Sequence, residues 1–540
     1  DRMLKRHTDL NDFENAQVRI PKTVVLCTDI FDEFMDTNKL YHPALSDLPD
    51  EEILEIFLRA RLPMHLLSDL EAFLQVVPSP LAIRSSSLLE DSHYQPFAGV
   101  YSTYMIPYTE DKYERLAMLG NAIKAVYASV FYRSSKDYMT ATSNVIDQEK
   151  MAVILQEVAG QQHETRFYPT ISGVARSINY YPLGDEKAEE GVVNLAFGLG
   201  KYIVDGGLSL RLSPYHPQHV LQTSEMEIAL RETQTHFLAL EIKQGEEEIS
   251  FSKDDGFNLR RWSIRDVEQD GTLQWVCSTF DPIDQRIYPG YYEGRNRKIL
   301  SFCGVLQNGV FPLPEIMQKV LEYGSAEMQR PVEIEFAVNL KEDRSGEFYL
   351  LQIRPMVDNR MALEEDLTLY HDEECLLRSH NAIGHGIYRE IEDIIYVKPQ
   401  NFNPNSNELV AEQIERMNRQ MEGRPYLLIG PGRWGTSDPW LGIPVKWPHI
   451  SHAQVIVEAG LASYQVDPSQ GTHFFQNLTS LGVCYLTIDD FRGDGIYQID
   501  SLDALPAEEE TEYIRHVRLP LLIKVDGLHK EAVILKNDES

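Results

Sequence analysis

Several stretches of this 540-residue chain combine residue types that can bind phosphate, hold a divalent cation or accept a phosphoryl group. The run Leu81-Ala82-Ile83-Arg84-Ser85-Ser86-Ser87 sets a guanidinium and three hydroxyls at the end of a segment that reads as a buried strand. Glu90 and Asp91 follow, and then a Gly-bearing stretch from Gln95 to Thr103. A fork of N–H donors beside a hydroxyl-rich loop suits a triphosphate. The same serines could equally cap a helix, with Arg84 paired to Glu90 or Asp91.

The second stretch is a pair of strands. Alternation in Val332–Val338 sends Glu333 and Glu335 to one face and Ile334, Phe336 and Val338 to the other, and in Tyr349–Pro355 it puts Gln352 and Arg354 on one face. A hairpin loop centred between Arg344 and Ser345 would set Glu335 opposite Arg354. Carboxylates so placed can hold Mg²⁺ while Arg354 meets phosphate oxygens; a salt-bridged surface strand pair is the competing reading.

Two histidines qualify as phosphoryl acceptors, because a neutral imidazole is a competent nucleophile near pH 7. They are His452, in Ile450-Ser451-His452-Ala453, and His473, in Gly471-Thr472-His473-Phe474. Each also reads as a packed or hydrogen-bonded ring, and His216 and His219, near Pro214 and Pro217, read as loop residues. The cluster from Gly430 to Trp440, with Trp434, Trp440 and Trp447 close together, predicts a rigid packed loop; Arg433 leaves an anion site or an interdomain contact open.

The elements that must position these residues are α+β in character. A strand within Ile20–Cys27 precedes a helix capped at Thr28-Asp29, and apolar residues at helical spacing over 50–76 are split into two helices by Pro63. Short strands follow between 149 and 200, a charged and aromatic-rich elaboration occupies 224–300, and a helix over 313–323 leads into the strand pair. The acidic segment Glu364-Glu365-Asp366 marks a boundary, giving units of 1–365 and 366–540, the latter a smaller α/β domain.

Composition narrows the partners. A formal net charge of −33 opposes nucleic-acid backbones and anionic lipid, while a pocket with a few arginines can still take a nucleotide. Five scattered cysteines indicate neither a disulfide scaffold nor a zinc site, and no apolar run approaches the length of about 20 residues that spans a bilayer. A cytoplasmic location is expected. The chain opens at Asp1, partway into a predicted helix, and is expected to be part of a longer polypeptide.

The blocks AIRSSSLLEDS, FAGVYST, ILQEVAG, SGVAR, FGLGKYIVDGG, EIEFAV and FYLLQIRP, in this order over roughly residues 20–360, resemble the ATP-binding domain shared by pyruvate phosphate dikinase and phosphoenolpyruvate synthase. The resemblance implies an ATP-grasp fold that binds ATP and Mg²⁺ between two subdomains and sends the β-phosphoryl group to a histidine on a swivelling domain; Ser451-His452-Ala453 faintly resembles the family's Ser-His-Ala-Ala run around that histidine, without its preceding glycine-rich turn. By position it implies that Arg84, Thr103, Glu335, Gln352 and Arg354 contact phosphates or Mg²⁺. It lays the edge strand Gln156-Glu157-Val158 along the adenine, with backbone groups reading the base, and sets Gly198 and Gly200 by the ribose or, equally, in a plain strand-ending turn.

Three departures qualify the resemblance. The chain begins after the point where the family has its Gly-Gly-Lys segment, so that lysine is expected to be either absent or on a preceding stretch, Lys201 stands where the family often has an acid after Gly-Leu-Gly, and no segment resembles the phosphoenolpyruvate/pyruvate barrel. The roughly 180 residues after 360 are too few for a barrel of about 250. The expected function is therefore a dikinase-type phosphotransferase acting on a histidine of its own C-terminal domain or of a partner. The alternative is a non-catalytic nucleotide-sensing module.

Overall fold

The computed structural model describes residues 2–87, 100–141, 149–180, 182–242, 251–252, 254–294, 296–356, 363, 365–436, 438, 440–461, 464, 466, 474–475, 478, 481–489 and 493–536. Contacts between Cα atoms divide the chain into two compact units. The first comprises Asp1–Ser92, Gly99–Val204 and Leu208–Met356; the second comprises His93–Ala98, Asp205–Gly207 and Val357–Ser540. Both mix helices and sheets.

In the first unit the strands are β1 (Ala16–Arg19), β2 (Thr23–Leu26), β3 (Leu81–Ser87), β4 (Tyr104–Ile106), β5 (Met151–Glu157), β6 (Gln161–His163), β7 (Arg166–Tyr168), β8 (Ile171–Arg176) and β9 (Val192–Ala196). They continue with β10 (Leu210–Leu212), β11 (His236–Glu241), β12 (Leu259–Ser263), β13 (Cys277–Asp281), β14 (Arg286–Pro289), β15 (Arg297–Leu300), β16 (Val332–Leu340) and β17 (Gly346–Pro355). They form an antiparallel sheet of order β2-β5-β3-β4, a six-stranded sheet of order β1-β17-β16-β8-β9-β10, and smaller sheets β12-β11-β7-β6 and β14-β13-β15.

Helices cover one face of the four-stranded sheet. Helix Lys112–Ser129 starts where the Asp111 carboxylate accepts from the N–H groups of Tyr113 (2.8 Å) and Glu114 (3.2 Å), satisfying two donors that the first turn leaves unpaired. Phe31, Phe34, Phe57, Tyr127 and Phe131 interlock between this helix and helices Thr28–Asn38 and Asp50–Arg59. The first of these begins at Thr28 with Cys27 as an N-cap that makes no side-chain bond, so Asp29 lies in the first turn, where its charge suits the helix dipole, instead of capping.

The core of the six-stranded sheet follows the period of two. Val332, Ile334, Phe336, Val338 and Leu340 join Phe348 and Leu350 under helix Leu313–Met328, all at most 6% exposed. Gly173 of β8 lies beneath the Phe336 ring: a Cβ there would come within 2.2 Å of Cζ, so only a hydrogen fits.

The second unit contains β18 (Cys375–Ser379), β19 (Asn381–Ile383), β20 (His385–Tyr388), β21 (Asp393–Val397), β22 (Tyr426–Pro431), β23 (Arg433–Trp434), β24 (Gly442–Ile443) and β25 (Ala453–Ala459). After these come β26 (Cys484–Ile488), β27 (Ile496–Tyr497), β28 (Ala507–Glu510), β29 (Ile514–Arg518), β30 (Leu521–Asp526) and β31 (Glu531–Lys536). The seven-stranded sheet β19-β26-β25-β22-β21-β29-β28 has four parallel strands at its centre, β21, β22, β25 and β26. Buried on both faces, these strands read as near-continuous apolar runs. Helix Asn407–Gln420 connects β21 to β22. The acidic segment read as a boundary is tied down at Glu365, whose carboxylate receives the buried Lys524 ammonium.

No described helix is long and apolar enough to cross a membrane. Packing of Phe336 on Gly173 makes a stability prediction. Gly173→Ala should destabilise the first unit by about 1–3 kcal/mol, and the Gly173→Ala/Phe336→Leu double variant should lose less than the sum of its single variants. Chemical denaturation of the four proteins checks this; strict additivity would contradict the contact.

Candidate functional site

Arg84 lies on β3, whose register with β5 sets Arg84 opposite Ile154 and Ala82 opposite Gln156. Ile83, Val153 and Leu155 point into the helical layer and are fully buried, so Ala82, Arg84, Ser86, Ile154 and Gln156 share the opposite face. The edge pairing with β4 sets Ala82 opposite Met105 and Ile83 opposite Tyr104, and Thr103 immediately precedes that strand.

The partner surface is β16–β17, and its register differs from the sequence expectation. Glu335 pairs with Gln352 and Glu333 with Arg354, whereas Phe336 pairs with Leu350, which leaves Leu351 unpaired in a β-bulge. A loop centred between Arg344 and Ser345 would have set Glu335 opposite Arg354; the observed loop is centred earlier, since Leu340 pairs with Gly346. The bulge matters for function. Phe348 and Leu350 face the core, and uninterrupted alternation would send Gln352 and Arg354 there too; the extra residue turns both to the side of Glu335.

The two surfaces meet through polar side chains. Arg84 Nη2 donates to Glu335 Oε2 at 3.1 Å and also to Gln352 Oε1. Arg354 Nη2 donates to Glu335 Oε1 at 3.1 Å and to Gln352 Oε1 at 2.8 Å. One carboxylate and one amide oxygen thus sit between two guanidinium groups. Gln156 Nε2 donates to the carbonyl of the bulged Leu351 at 3.2 Å, and Arg84 Nη1 reaches Gln156 Oε1 at 3.5 Å. Behind this strip, in the next row, Glu333 lies between Arg354 (4.0 Å) and Arg176, whose Nε donates to it at 2.7 Å. Exposure rises from 3% and 5% at Arg176 and Glu333 to 15% and 19% at Glu335 and Arg84. The strip is anchored inside and reaches solvent at its front, with three guanidinium groups against two carboxylates.

Next to it lies a small apolar cluster. Ala82, Val158, Phe167, Leu199 and Leu240 are buried, and Met105, Leu238, Ile242 and Leu259 pack against them. Thr103 N–H donates to Asp255 Oδ2 at 2.9 Å, and Lys201 Nζ approaches Asp255 Oδ1 at 3.4 Å. Met105, Leu240, Leu259 and Asp255 carry no local motif, which is why the sequence reading missed them.

One expectation needs correction. Gln156-Glu157-Val158 is not at a sheet edge, because β5 runs between β2 and β3. The Glu157 N–H donates to Lys22 O (2.9 Å) and the Val158 N–H to Pro80 O (3.0 Å), so these donors are spent within the sheet and cannot read a base. The Glu157 carboxylate accepts from Ser79 and from the Lys22 N–H. What this segment contributes to the cluster is the Val158 side chain. Gly198 has φ +87°, and a Cβ there would meet Leu238 O at 2.7 Å, so the turn itself requires glycine; Gly200 has room for a methyl, 3.6 Å from Ser172.

In the second unit His452 ends the turn before β25, and its backbone N–H donates to Asn418 Oδ1 at 3.1 Å. Partial burial holds its imidazole below the ordinary histidine pKa, partly offset by Glu422. His473, Glu90 and Asp91 lie outside the described residues. Trp434 is fully buried and donates to Val457 O at 3.1 Å, and a Cβ on Gly435 would meet Phe474 at 2.1 Å, the packing of a rigid loop; Trp440 is exposed. Among the described residues no group of three or more His, Cys, Asp or Glu side chains is placed to hold a metal.

The bulge generates a prediction. Inserting one residue between Leu351 and Gln352 sends Gln352 and Arg354 toward the Ile334 and Phe336 side, so the insertion should cost about 3 kcal/mol or more, against about 1 kcal/mol for Leu351→Ala. Denaturation midpoints of the two variants check the ordering, and equal costs would contradict the assigned phase.

No curated protein matches the chain. Residues 6–373 match the family model of the pyruvate phosphate dikinase AMP/ATP-binding domain, and that span includes the Arg84, Glu335, Gln352 and Arg354 strip. Because the match takes in more than half of the 540 residues, the chain belongs to the family of the pyruvate phosphate dikinase AMP/ATP-binding domain.

Proposed function

We propose that the chain is an ATP-dependent phosphotransferase of the dikinase type, with an ATP-grasp cleft between the β2–β5 sheet and the β16–β17 hairpin. In this reading Mg-ATP is the donor, and a histidine of the second unit or of a partner is the acceptor. The observation that carries this reading is the meeting of Arg84 with Glu335, Gln352 and Arg354 across two sheets, from positions 251 or more residues apart. Two guanidinium forks with a carboxylate between them are a resting arrangement for a polyanion site: phosphate oxygens compete for the forks and release the carboxylate.

The donor set fits Mg²⁺. Both guanidinium groups donate to the amide oxygen of Gln352, so that oxygen, with the Glu335 carboxylate, faces the strip as a pair of hard ligands. Mg²⁺ takes one or two such protein ligands and completes its shell with phosphates and water. When bound beside Glu335 and Gln352, it would offset the charge of the phosphates.

The remaining roles belong to the chain. Arg84 and Arg354 orient the phosphates and stabilise charge developing on the transferred group, and Glu333 with Arg176 holds Arg354 from behind. The apolar cluster around Ala82, Met105, Leu199 and Leu240 offers the base a dry wall. His452 serves as the acceptor: its depressed pKa keeps the ring neutral at pH 7, so a nitrogen lone pair can form the N–P bond as the P–O bond to the departing nucleotide phosphate breaks. The second unit would then act as a degenerate swivelling domain.

Incubation of the full chain with labelled ATP should yield acid-labile, base-stable phosphohistidine. Arg84→Lys should lower labelling by roughly 10- to 100-fold, since a point charge cannot replace the fork, and His452→Gln should abolish it while leaving ATP binding unchanged. Tight binding without label would favour a nucleotide sensor instead. Because burial lowers the His452 pKa, the folded protein resists protonating this ring. Labelling should therefore be level above the ordinary histidine value of about 6.5 and fall only at lower pH, as the proton occupies the nucleophilic nitrogen. A rate that drops already between pH 8 and 7 would rule out His452 as acceptor.

A further inference from the structure

The tip of the β11–β12 hairpin wraps the free edge of β4. The Tyr104 hydroxyl, whose pKa burial pushes up to about 12, donates to Ser252 O at 3.0 Å, and the Tyr104 ring packs against Phe251 and Phe257 at 5.9 and 6.1 Å. Asn258 Nδ2 donates to the Met105 carbonyl at 3.1 Å, and the Asp255 carboxylate accepts the Thr103 N–H. Side chains thus satisfy edge groups that a further strand would otherwise pair. For this capping role alone Asp255 would not need its second partner, the Lys201 ammonium at 3.4 Å, nor its 22% exposure.

Its position gives Asp255 a further use. On β4, Met105 belongs to the apolar cluster and Tyr104 pairs with Ile83, the residue before Arg84 of the guanidinium strip, so the chain at Thr103 continues from the cluster toward the Arg84 end of β3. Asp255, bonded to the Thr103 N–H, therefore sits where the chain leads from the surface suited to a base toward the surface suited to phosphates. In a nucleotide the sugar occupies that interval. A carboxylate offers about four acceptor sites, of which the Thr103 N–H and Lys201 take two.

Resting on the reading that this cleft holds ATP, we propose that Asp255 is a specificity-determining residue that accepts a hydrogen bond from a ribose hydroxyl, with Lys201 and the Thr103 N–H fixing its carboxylate. The lysine at 201 then has a physical reason: an acid there, as the family often has, would stand against Asp255 and repel it. The elaboration over 224–300 thereby supplies a polar group to the cleft.

The test is calorimetric binding of Mg-ATP, Mg-2′-deoxy-ATP and Mg-3′-deoxy-ATP to the full chain and to its Asp255→Asn and Asp255→Ala variants. Wild type should bind ATP roughly tenfold or more tighter than at least one deoxynucleotide, as a hydrogen bond to a charged group requires. Asp255→Ala should bring ATP down to the level of that deoxynucleotide and leave the deoxynucleotide unchanged. Asp255→Asn, which keeps the shape, should fall between. Equal binding of all three ligands by wild type would overturn the proposal. So would an equal loss for all three in both variants, which would assign Asp255 to bracing β4 alone. Absence of any ATP binding by wild type would instead sink the cleft itself.

Discussion

Arg84 and Arg354 share one carboxylate and one amide oxygen, and this sharing joins two β-sheets that have no backbone hydrogen bonds in common. Charged groups so shielded are tolerable only if their hydrogen bonds are met, because desolvation costs several kcal/mol per ion. Here the fork of each arginine, the two oxygens of Glu335 and the oxygen of Gln352 answer one another. Removing any of them takes a charge-assisted hydrogen bond from groups that are largely shielded from water. In the proposed reading the strip is responsive: a polyanion entering from the solvent side would replace Glu335 as the partner of both guanidinium groups.

The surrounding structure serves that strip in layers. Glu333 and Arg176 form a sealed pair one row deeper and fix the rear of Arg354. The bulge at Leu351 sets the phase of the last residues of β17, and its carbonyl is held by Gln156 from the opposite sheet. Gly173 allows the Phe336 ring to lie flat on β8, which brings β8 and Arg176 against β16. Each device is small, and each controls where a guanidinium points.

Electrostatics on two scales complete the account. The chain as a whole is strongly acidic, yet the strip gathers three guanidinium groups against two carboxylates, and Lys201 is balanced by Asp255. In the proposed reading, a locally positive, partly shielded site in a negative surround would favour compact anions over extended polyanions. That selectivity agrees with membership of an AMP/ATP-binding family.

Much of this was legible in the sequence. Alternation alone assigned Glu333 and Glu335 to one face and Ile334, Phe336 and Val338 to the core, because a strand's side chains obey a strict period of two. The arginine at 84, the helix break at Pro63 and the ordered family blocks were equally local signals. Other features could not be read that way. The bulge at Leu351 depends on how β16 and β17 close their loop, the interior place of β5 depends on which strands flank it, and the contact of Asp255 with Thr103 and Lys201 joins segments that no pattern links. Residue type and period are written in neighbouring positions; register, strand order and the meeting of distant carboxylates with arginines are fixed only when the whole sheet packs, since only then do the competing pairings differ in free energy.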